Sequence, residues 1–212
     1  MIISTYNRIV SLLEQEKEHL VELLPNKFRS RFSSESFLSG GAIYSLHNGQ
    51  EPNDFDFFID NEKLGLELRN YFNSLLADQS SKEIKVGIYK DVKLVLTDNG
   101  ITLGKYQIVT RWYGNPRDVV NEFDFKHNMF YIYKGELNTY SKWEYLDDNV
   151  LRYNEKRARD ICGTIIRTRK FVERGFKLRN NEMAKMLLKL NEVGFNEREL
   201  EILKSSNNGF GS

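Results

Sequence analysis

The segment from Phe37 to Asp60, FLSGGAIYSLHNGQEPNDFDFFID, limits the possible fold more than any other part of the chain. An apolar stretch breaks at a Ser-Gly-Gly turn, restarts with a short helical pattern, breaks again, and ends with Asp54 and Asp56 among large apolar residues. Burying an unpaired carboxylate is costly. The fold must therefore give these two carboxylates a compensating partner.

The glycine turn and the carboxylates have the spacing of a strand, a short helix and a second strand. A strand that ends at Ser39-Gly40-Gly41 and turns directly into a helix presents backbone N–H groups at the helix start, where anions such as phosphate bind. Asp54 and Asp56 are two positions apart, so on a strand both project from one face. Such a pair can hold two Mg²⁺ ions that bridge a triphosphate and an incoming hydroxyl. The segment therefore predicts a triphosphate site beside a metal site.

A third carboxylate is expected on an adjacent strand, because the metal that activates the nucleophile needs a further ligand. The sequence NEFDFKHNMFYIY places Asp124 between two phenylalanines at the start of an apolar stretch. Glu122 is two positions before Asp124 and would lie on the same face of a strand, so it is the second candidate for the third carboxylate. The alternative for Asp124 is a capping role where the strand begins.

The rest of the pattern predicts an α+β fold. Of the 212 residues, 40% are hydrophobic, which is enough for one good core or two modest ones. Apolar periodicity predicts helices over 4–24, 42–47, 63–76 and 116–122, strands over 37–38, 55–59, 84–89, 92–97, 106–111 and 125–133, and helical structure from 154 onward with stops at Gly175 and Gly194.

Charge divides the chain into two halves of opposite sign. Residues 151–212 carry 14 basic and 8 acidic residues, whereas residues 1–150 carry 17 and 22. On a helix over 155–175, five cations share one face, and Gly163 lies among them, where it would permit close approach of a ligand. A solvated helix face is the alternative, but the density suggests an anionic partner such as nucleotide or nucleic acid. The five cations are Lys156, Arg159, Arg167, Lys170 and Arg174.

Composition predicts a cytoplasmic protein without a membrane partner, located in the host cytoplasm if a phage encodes it. Mean hydropathy is −0.54, 29% of residues are charged, and neither a membrane-length apolar stretch nor a secretory leader is recognisable. The single cysteine, Cys162, excludes an internal disulfide and is expected to be a core residue.

The motif SGGAIYSLHNG followed by NDFDFFI resembles the signature of the DNA polymerase beta-like nucleotidyltransferase superfamily, and is most similar to small phage-type members related to tRNA nucleotidyltransferases. The resemblance covers roughly 30–135. It implies a mixed five-stranded nucleotidyltransferase sheet that carries the site at one edge. Together with the helical periodicity, the expected fold is this sheet with flanking helices, followed by a small all-helical C-terminal region. The resemblance also implies that Ser39, Gly40 and Gly41 bind the triphosphate and that Asp54, Asp56 and Asp124 bind the metals.

A second segment, IIRTRKFVERGFKL, is similar to one in CCA-adding enzymes whose arginines contribute to nucleotide selection and RNA backbone binding. Together with the shared basic face, this resemblance leads to the expectation that Arg159, Arg167, Lys170 and Arg174 bind nucleotide. The expected organisation is a catalytic domain at 1–150, a helical nucleotide- or RNA-binding region at 151–206 and a disordered tail at 207–212.

The expected activity is transfer of a nucleoside monophosphate from an NTP, for example ATP, to an acceptor hydroxyl, with release of pyrophosphate. Two Mg²⁺ ions, or Mn²⁺, would serve as cofactors, and an RNA 3′ end such as that of tRNA is the expected acceptor. Several alternatives remain open. They are a small-molecule or protein acceptor, a toxin-like transferase controlled by a protein partner or antitoxin, and a non-catalytic nucleotide- or RNA-binding module.

Overall fold

The computed structural model describes residues 2–79, 83–157 and 160–207. The α-helices in these ranges are α1 (Ile2–Leu23), α2 (Asn26–Glu35), α3 (Gly41–His47), α4 (Glu62–Leu75), α5 (Pro116–Asn121), α6 (Ile161–Glu173), α7 (Asn180–Val193) and α8 (Glu197–Asn207). The strands are β1 (Ser36–Ser39), β2 (Phe55–Ile59), β3 (Lys85–Tyr89), β4 (Val92–Thr97), β5 (Gly100–Leu103), β6 (Tyr106–Tyr113), β7 (Phe130–Tyr133) and β8 (Glu136–Thr139).

The strands form one mixed sheet in the order β3-β4-β5-β6-β2-β1-β7-β8. Strands β2 and β6 pair in parallel, and every other pair of neighbours is antiparallel. The predicted α+β class and mixed sheet are confirmed, but the prediction of five strands is wrong, since the described residues form eight. The placement of the site at one edge is also wrong, because β2 lies inside the sheet between β1 and β6.

The strands that the sequence did not predict are short and carry weak signals. Strand β5 begins at Gly100, which the pattern assigned to a turn, and β8 has the sequence ELNT with no fully buried residue. Helix α2 was missed for the same reason, since only Phe28 and Phe32 of its ten residues are buried. Cross-strand pairing and packing against the sheet stabilise these elements more than their local propensity does.

One face of the sheet is the core layer. Phe32 of α2 packs on Phe57 of β2 with ring centroids 6.1 Å apart, and α4 lies against β2, β5 and β6. The Tyr106 hydroxyl of β6 donates to Glu16 of α1 at 2.7 Å. These contacts place α1, α2 and α4 on the face opposite to Asp56, as the alternation along β2 requires.

Two predicted elements begin later than the pattern indicates. Strand β7 starts at Phe130 rather than Phe125, because residues 126–128 form a 3₁₀ turn and Phe125 pairs instead with Tyr153 in an isolated bridge. Helix α6 starts at Ile161 rather than in the mid-150s. Its N-cap, Asp160, has a φ of +53°, a left-handed conformation that a continuous helix excludes.

The chain forms two compact units. The first comprises Met1–Val120 and His127–Asp147 and contains the whole sheet, and the second comprises Asn121–Lys126 and Asp148–Ser212. The predicted domain limits did not anticipate that the short segment 121–126 belongs with the second unit. Residues 208–212 of the predicted tail lie outside the described residues, whereas Asn207 ends α8. In the part of the chain that the structure describes, no helix combines the length and apolar character needed to cross a membrane.

Candidate active site

The glycine turn lies directly against one of the predicted carboxylates. In the antiparallel pairing of β1 with β2, Ser39 is opposite Asp56. The next residue, Gly40, has φ +105° and ψ −153°, a region that side chains other than hydrogen rarely enter. A Cβ atom on Gly40 would lie 3.2 Å from Oδ2 of Asp56. Glycine at position 40 is therefore required both by the backbone conformation and by the approach of the carboxylate.

Gly41 has a different environment from Gly40. It is the first residue of α3, its φ is not positive, and a Cβ atom there would meet no atom of the described residues within 4 Å. The backbone around Gly41 is therefore open enough for a bound group to approach, as the sequence motif predicts, but the triphosphate role of Gly40 and Gly41 stays a prediction.

Asp56 lies on the face of β2 opposite to Phe55 and Phe57, and Asp54 comes directly before the strand. Asp54 is exposed, and Asp56 is half-buried, whereas the alternating residues Phe55 and Phe57 are buried in the core layer. On its second side Asp56 is opposite Gln107 of β6. Asp56 therefore points away from Phe55 and Phe57, as the alternation predicts, and a shared face for Asp54 and Asp56 stays a prediction.

Ser39 connects two strands. Its side chain is 0% exposed, and its hydroxyl donates to the backbone carbonyl of Phe130 at 2.6 Å. Ser39 is also opposite Tyr131 in the pairing of β1 with β7. The hydroxyl proton is thus already used to join β1 to β7, and the predicted contact of Ser39 with a triphosphate stays a prediction.

The Asp54 and Asp56 pair suits a hard divalent cation such as Mg²⁺, because carboxylate oxygens, water and phosphate oxygens are its preferred ligands. Among the described residues, no group of three or more His, Cys, Asp or Glu side chains is arranged to hold a metal ion. The pair alone fits the partly hydrated coordination that Mg²⁺ usually keeps when it also binds substrate phosphates.

Asp124 belongs to the second unit and is held by two arginines. Its Oδ1 lies 2.9 Å from Nε of Arg157 and accepts a hydrogen bond from the Thr164 hydroxyl at 3.0 Å. Its Oδ2 accepts from Nε of Arg167 at 2.5 Å. Both carboxylate oxygens of Asp124 are thus paired with arginine side chains, and Asp124 could bind a metal ion only if these ion pairs rearranged. Its role as third ligand stays a prediction.

The arginine cluster around Asp124 includes a second carboxylate, Asp160. Nη2 of Arg167 donates to Asp160 at 3.0 Å, and Nη2 of Arg157 lies 3.4 Å from the same oxygen. Burial by itself lowers the pKa of the Arg167 guanidinium, but the hydrogen bonds and negative charges of Asp124 and Asp160 outweigh burial and raise this pKa. Arg167 therefore keeps its positive charge under all ordinary conditions.

Sequence reasoning missed Arg157, which is only 4% exposed. Its guanidinium also donates to the backbone carbonyl of Glu122, the residue that was the second candidate for the third ligand. One signal was available in the sequence. Asp124 lies between two phenylalanines, and a carboxylate buried there needs a cationic partner. Among the ten basic residues of 151–179, however, nothing local distinguished Arg157.

The predicted basic stripe is shorter than expected. Lys156 lies in the turn before α6, and Arg159 lies outside the described residues. Arg167, Lys170 and the C-cap residue Arg174 keep helical spacing, and the last two are exposed. Gly163 was expected to admit a ligand, but the group that approaches it closely is the Asp160 carboxylate.

Comparison with solved structures shows what this fold is similar to. A Thermotoga maritima CCA-adding enzyme in complex with tRNA matches with a TM-score of 0.52 and 17% identity, over 88% of this chain and 45% of that chain. A Bacillus stearothermophilus CCA-adding enzyme in complex with CTP also matches with a TM-score of 0.52, at 16% identity, over 79% of this chain and 42% of that chain. The chain thus shares the fold of tRNA nucleotidyltransferases.

Comparison of sequences gives a family. A protein of Bacillus phage SPbetaL7 described as Gabija anti-defense 2 is 25% identical over 188 residues, which are 86% of this chain and 42% of that protein. The chain therefore spans less than half the length of the proteins it matches. The model of the Gabija anti-defense 2 family matches residues 11–157, which is more than half of the chain. On this match the chain belongs to the Gabija anti-defense 2 family of phage proteins.

Proposed function

We propose that the chain is a metal-dependent nucleotidyltransferase that moves a nucleoside monophosphate from an NTP to an acceptor hydroxyl, and that this activity acts against the Gabija defence of a host bacterium. The family supports the anti-defence role, and the fold supports the nucleotidyltransferase reaction. A cytoplasmic site of action in the host follows from this role.

The observation that carries the proposal is the contact between the glycine turn and Asp56. A turn that requires glycine at position 40 lies against Asp56, and Asp54 comes two residues earlier, directly before β2. The turn and α3 would bind the triphosphate, and Asp54 and Asp56 would hold Mg²⁺ or Mn²⁺. The cation would neutralise phosphate charge and favour attack of the acceptor oxygen on the α-phosphorus, whereupon the bond to pyrophosphate breaks.

The proposed acceptor is an RNA 3′ end, such as that of tRNA. Lys170 and the C-cap residue Arg174 are exposed cations at the end of α6, whereas Arg167, one turn before Lys170, is already paired with Asp124 and Asp160. Repeated cations at helical spacing suit a phosphate backbone better than a single small substrate. A protein acceptor, for example a component of the host defence, is the other candidate that the anti-defence family favours.

The test is incubation of the protein with each α-labelled NTP in turn, together with total RNA and total protein from a bacterial host. Label in RNA is the expected result and identifies the acceptor after fractionation. Label in protein would replace the RNA acceptor by a protein acceptor and leave the reaction type unchanged. Absence of label from every fraction, with Mg²⁺ and with Mn²⁺, would contradict catalysis.

The matched variant is Asp54→Asn. We expect the rate of transfer to fall at least about 100-fold, because electrostatic stabilisation of the transferring group typically contributes this much. Because Asp54 is exposed, thermal unfolding of the variant should be unchanged. Retention of more than about a tenth of the wild-type rate would exclude a metal-binding role for Asp54.

A further inference from the structure

One row of residues crosses the sheet from Asp56. Ser39 of β1 is opposite Asp56, Tyr131 of β7 is opposite Ser39, and Asn138 of β8 is opposite Tyr131. Residues directly opposite each other lie on the same face of a sheet. Because neighbouring strands are about 4.8 Å apart, the backbone of Tyr131 lies about 10 Å from that of Asp56. The carboxylate face therefore continues across β7 and β8.

A pair of stacked tyrosines lies on this continuation. The rings of Tyr131 and Tyr140 have centroids 5.9 Å apart with an angle of 15° between their planes, and their hydroxyls are 3.5 Å apart. The guanidinium of Arg117, at the start of α5, lies 5.0 Å from the centroid of the Tyr140 ring. Tyr131 is buried, whereas Tyr140 is 43% exposed and Arg117 is exposed. The ring of Tyr140, which is stacked on Tyr131, and the guanidinium of Arg117 are therefore exposed side by side.

The chemistry of this pair matches one class of ligand. Nucleobases splayed out of a helix stack on aromatic side chains and on arginine planes, and each stacked base contributes enough affinity to be detected by alanine substitution. If a phosphate lay at Asp56, the base joined to it through the sugar would lie about 10 Å away, which is the distance across β1 to β7. Tyr131 fixes the ring of Tyr140, so little freedom would be lost on binding.

We propose that Tyr140, supported by Tyr131 and accompanied by Arg117, is a stacking site for a nucleobase of the substrate. The inference rests on the proposed function, because it takes the phosphates of a nucleotide or of an RNA end to lie at the carboxylates. The base belongs either to the NTP or to the acceptor strand.

The experiment compares ligands with and without bases. Calorimetry measures the affinity of the wild-type protein, Tyr140→Ala and Tyr140→Phe for each of the four NTPs, for inorganic tripolyphosphate and for a short single-stranded RNA. Tyr140→Ala should weaken binding of an NTP or of the RNA about tenfold and leave tripolyphosphate unchanged, and Tyr140→Phe should retain most of the affinity. Loss confined to NTP assigns the site to the incoming nucleotide, and loss confined to RNA assigns it to the acceptor.

Trp143 provides the matched control. It is similarly exposed but packs on Phe130, which alternates with Tyr131 and therefore faces the other side of the sheet. Trp143→Phe should change no affinity. Equal weakening of tripolyphosphate by Tyr140→Ala, or no weakening of any base-bearing ligand, would overturn the stacking site. If the wild-type protein bound neither NTP nor tripolyphosphate, the proposed function itself would fail.

Discussion

At the scale of single residues, the two adjacent glycines of the turn have separate tasks. Gly40 adopts a glycine-only conformation beside Asp56, whereas Gly41 begins α3 at a position where, in the described part of the chain, a Cβ atom would have no neighbour within 4 Å. The sequence presents them as one motif, because nothing in a Gly-Gly pair says which of the two has a positive φ. The distinction is visible only in the backbone angles and in the neighbour that each Cβ atom would meet.

The two glycines should therefore respond differently to the same substitution. Gly40→Ala should lower the free energy of unfolding by about 1–3 kcal/mol, because it strains the backbone and crowds Oδ2 of Asp56. Gly41→Ala should be neutral or stabilising by up to about 1 kcal/mol, since its conformation suits alanine. Chemical denaturation of both variants checks this. Equal effects at the two positions would contradict the assigned conformations.

A second prediction at this scale concerns the carboxylate in the arginine cluster. Asp124→Asn should lower the free energy of unfolding by about 3 kcal/mol, because it removes the charge that Arg157 and Arg167 both contact. The exposed Asp54 provides the control, since Asp54→Asn should leave stability unchanged. Denaturant titration distinguishes the two. An Asp124→Asn variant as stable as the wild type would favour a role for Asp124 in ligand binding over one in folding.

The alternation of Phe55, Asp56 and Phe57 along β2 was predictable, because it depends on local spacing. It fixes which of these side chains share a face whatever the rest of the sheet does. The surroundings of Asp124 were not predictable, because its partners Arg157 and Arg167 come from a region with many equivalent cations. Pairing between distant residues has no periodicity that a single sequence could reveal.

At the scale of elements, a charged contact fastens α1 to the sheet. Glu16 accepts a hydrogen bond from the Tyr106 hydroxyl at 2.7 Å, and Nζ of Lys105 lies 2.8 Å from the same carboxylate. Burial alone would raise the pKa of Glu16, but the hydrogen bonds from Lys105 and Tyr106 outweigh it and hold this pKa below its ordinary value. The contact therefore stabilises the fold only while Glu16 is ionised.

This contact gives a prediction about pH. Glu16→Gln should lower the free energy of unfolding by about 1 kcal/mol at neutral pH, the usual contribution of such hydrogen bonds. A carboxyl whose pKa is lowered by folding stabilises the protein above its unfolded pKa, about 4.3 for Glu, and loses that contribution as pH falls through the lower folded value. The difference between the wild type and the variant should therefore shrink in acid. A difference that stayed constant down to about pH 3 would contradict the role of the ionised form.

The elements that were correctly predicted have strong patterns of their own. Helix α1 carries apolar residues at helical spacing up to Pro25, and β3 and β4 are rich in Val, Ile and Tyr around a tight turn. Strand β8 and helix α2 lack such patterns and form because a neighbour supplies hydrogen bonds or an apolar surface. The number of strands was therefore the least predictable feature of the fold, although its class was clear.

At the scale of the whole molecule, the sequence boundary near residue 150 cuts through a folded unit. Segment 121–126 is hydrogen-bonded to Asn154. The side-chain amide of Asn154 donates to the backbone carbonyls of Asn121 and Phe123, and its backbone N–H donates to the backbone carbonyl of Asp124. Phe125 is 0% exposed and packs edge-on against Phe171. A catalytic domain defined as 1–150 would lack most of these partners.

A fragment ending at residue 147 should therefore unfold at a lower temperature than the full chain and aggregate more readily. In the fragment, Phe125→Ala should improve solubility, because Phe125 no longer has its apolar partners. In the full chain the same substitution should cost about 3–5 kcal/mol of stability. Thermal unfolding and sedimentation of the four proteins check this. If Phe125→Ala had the same effect in both, segment 121–126 would not depend on the second unit.

The position of Asp124 in the chain has a consequence for synthesis on the ribosome. Arg167, one of its two cationic partners, follows 43 residues later. At the usual 5–20 residues per second, Asp124 and Phe125 leave the ribosome about 2–9 seconds before that partner does. During this interval the strands of the sheet can pair, while segment 121–126, which lies between two parts of the sheet in sequence, still lacks a partner. The nascent chain therefore passes through a stage in which this segment is open to chaperones and proteases.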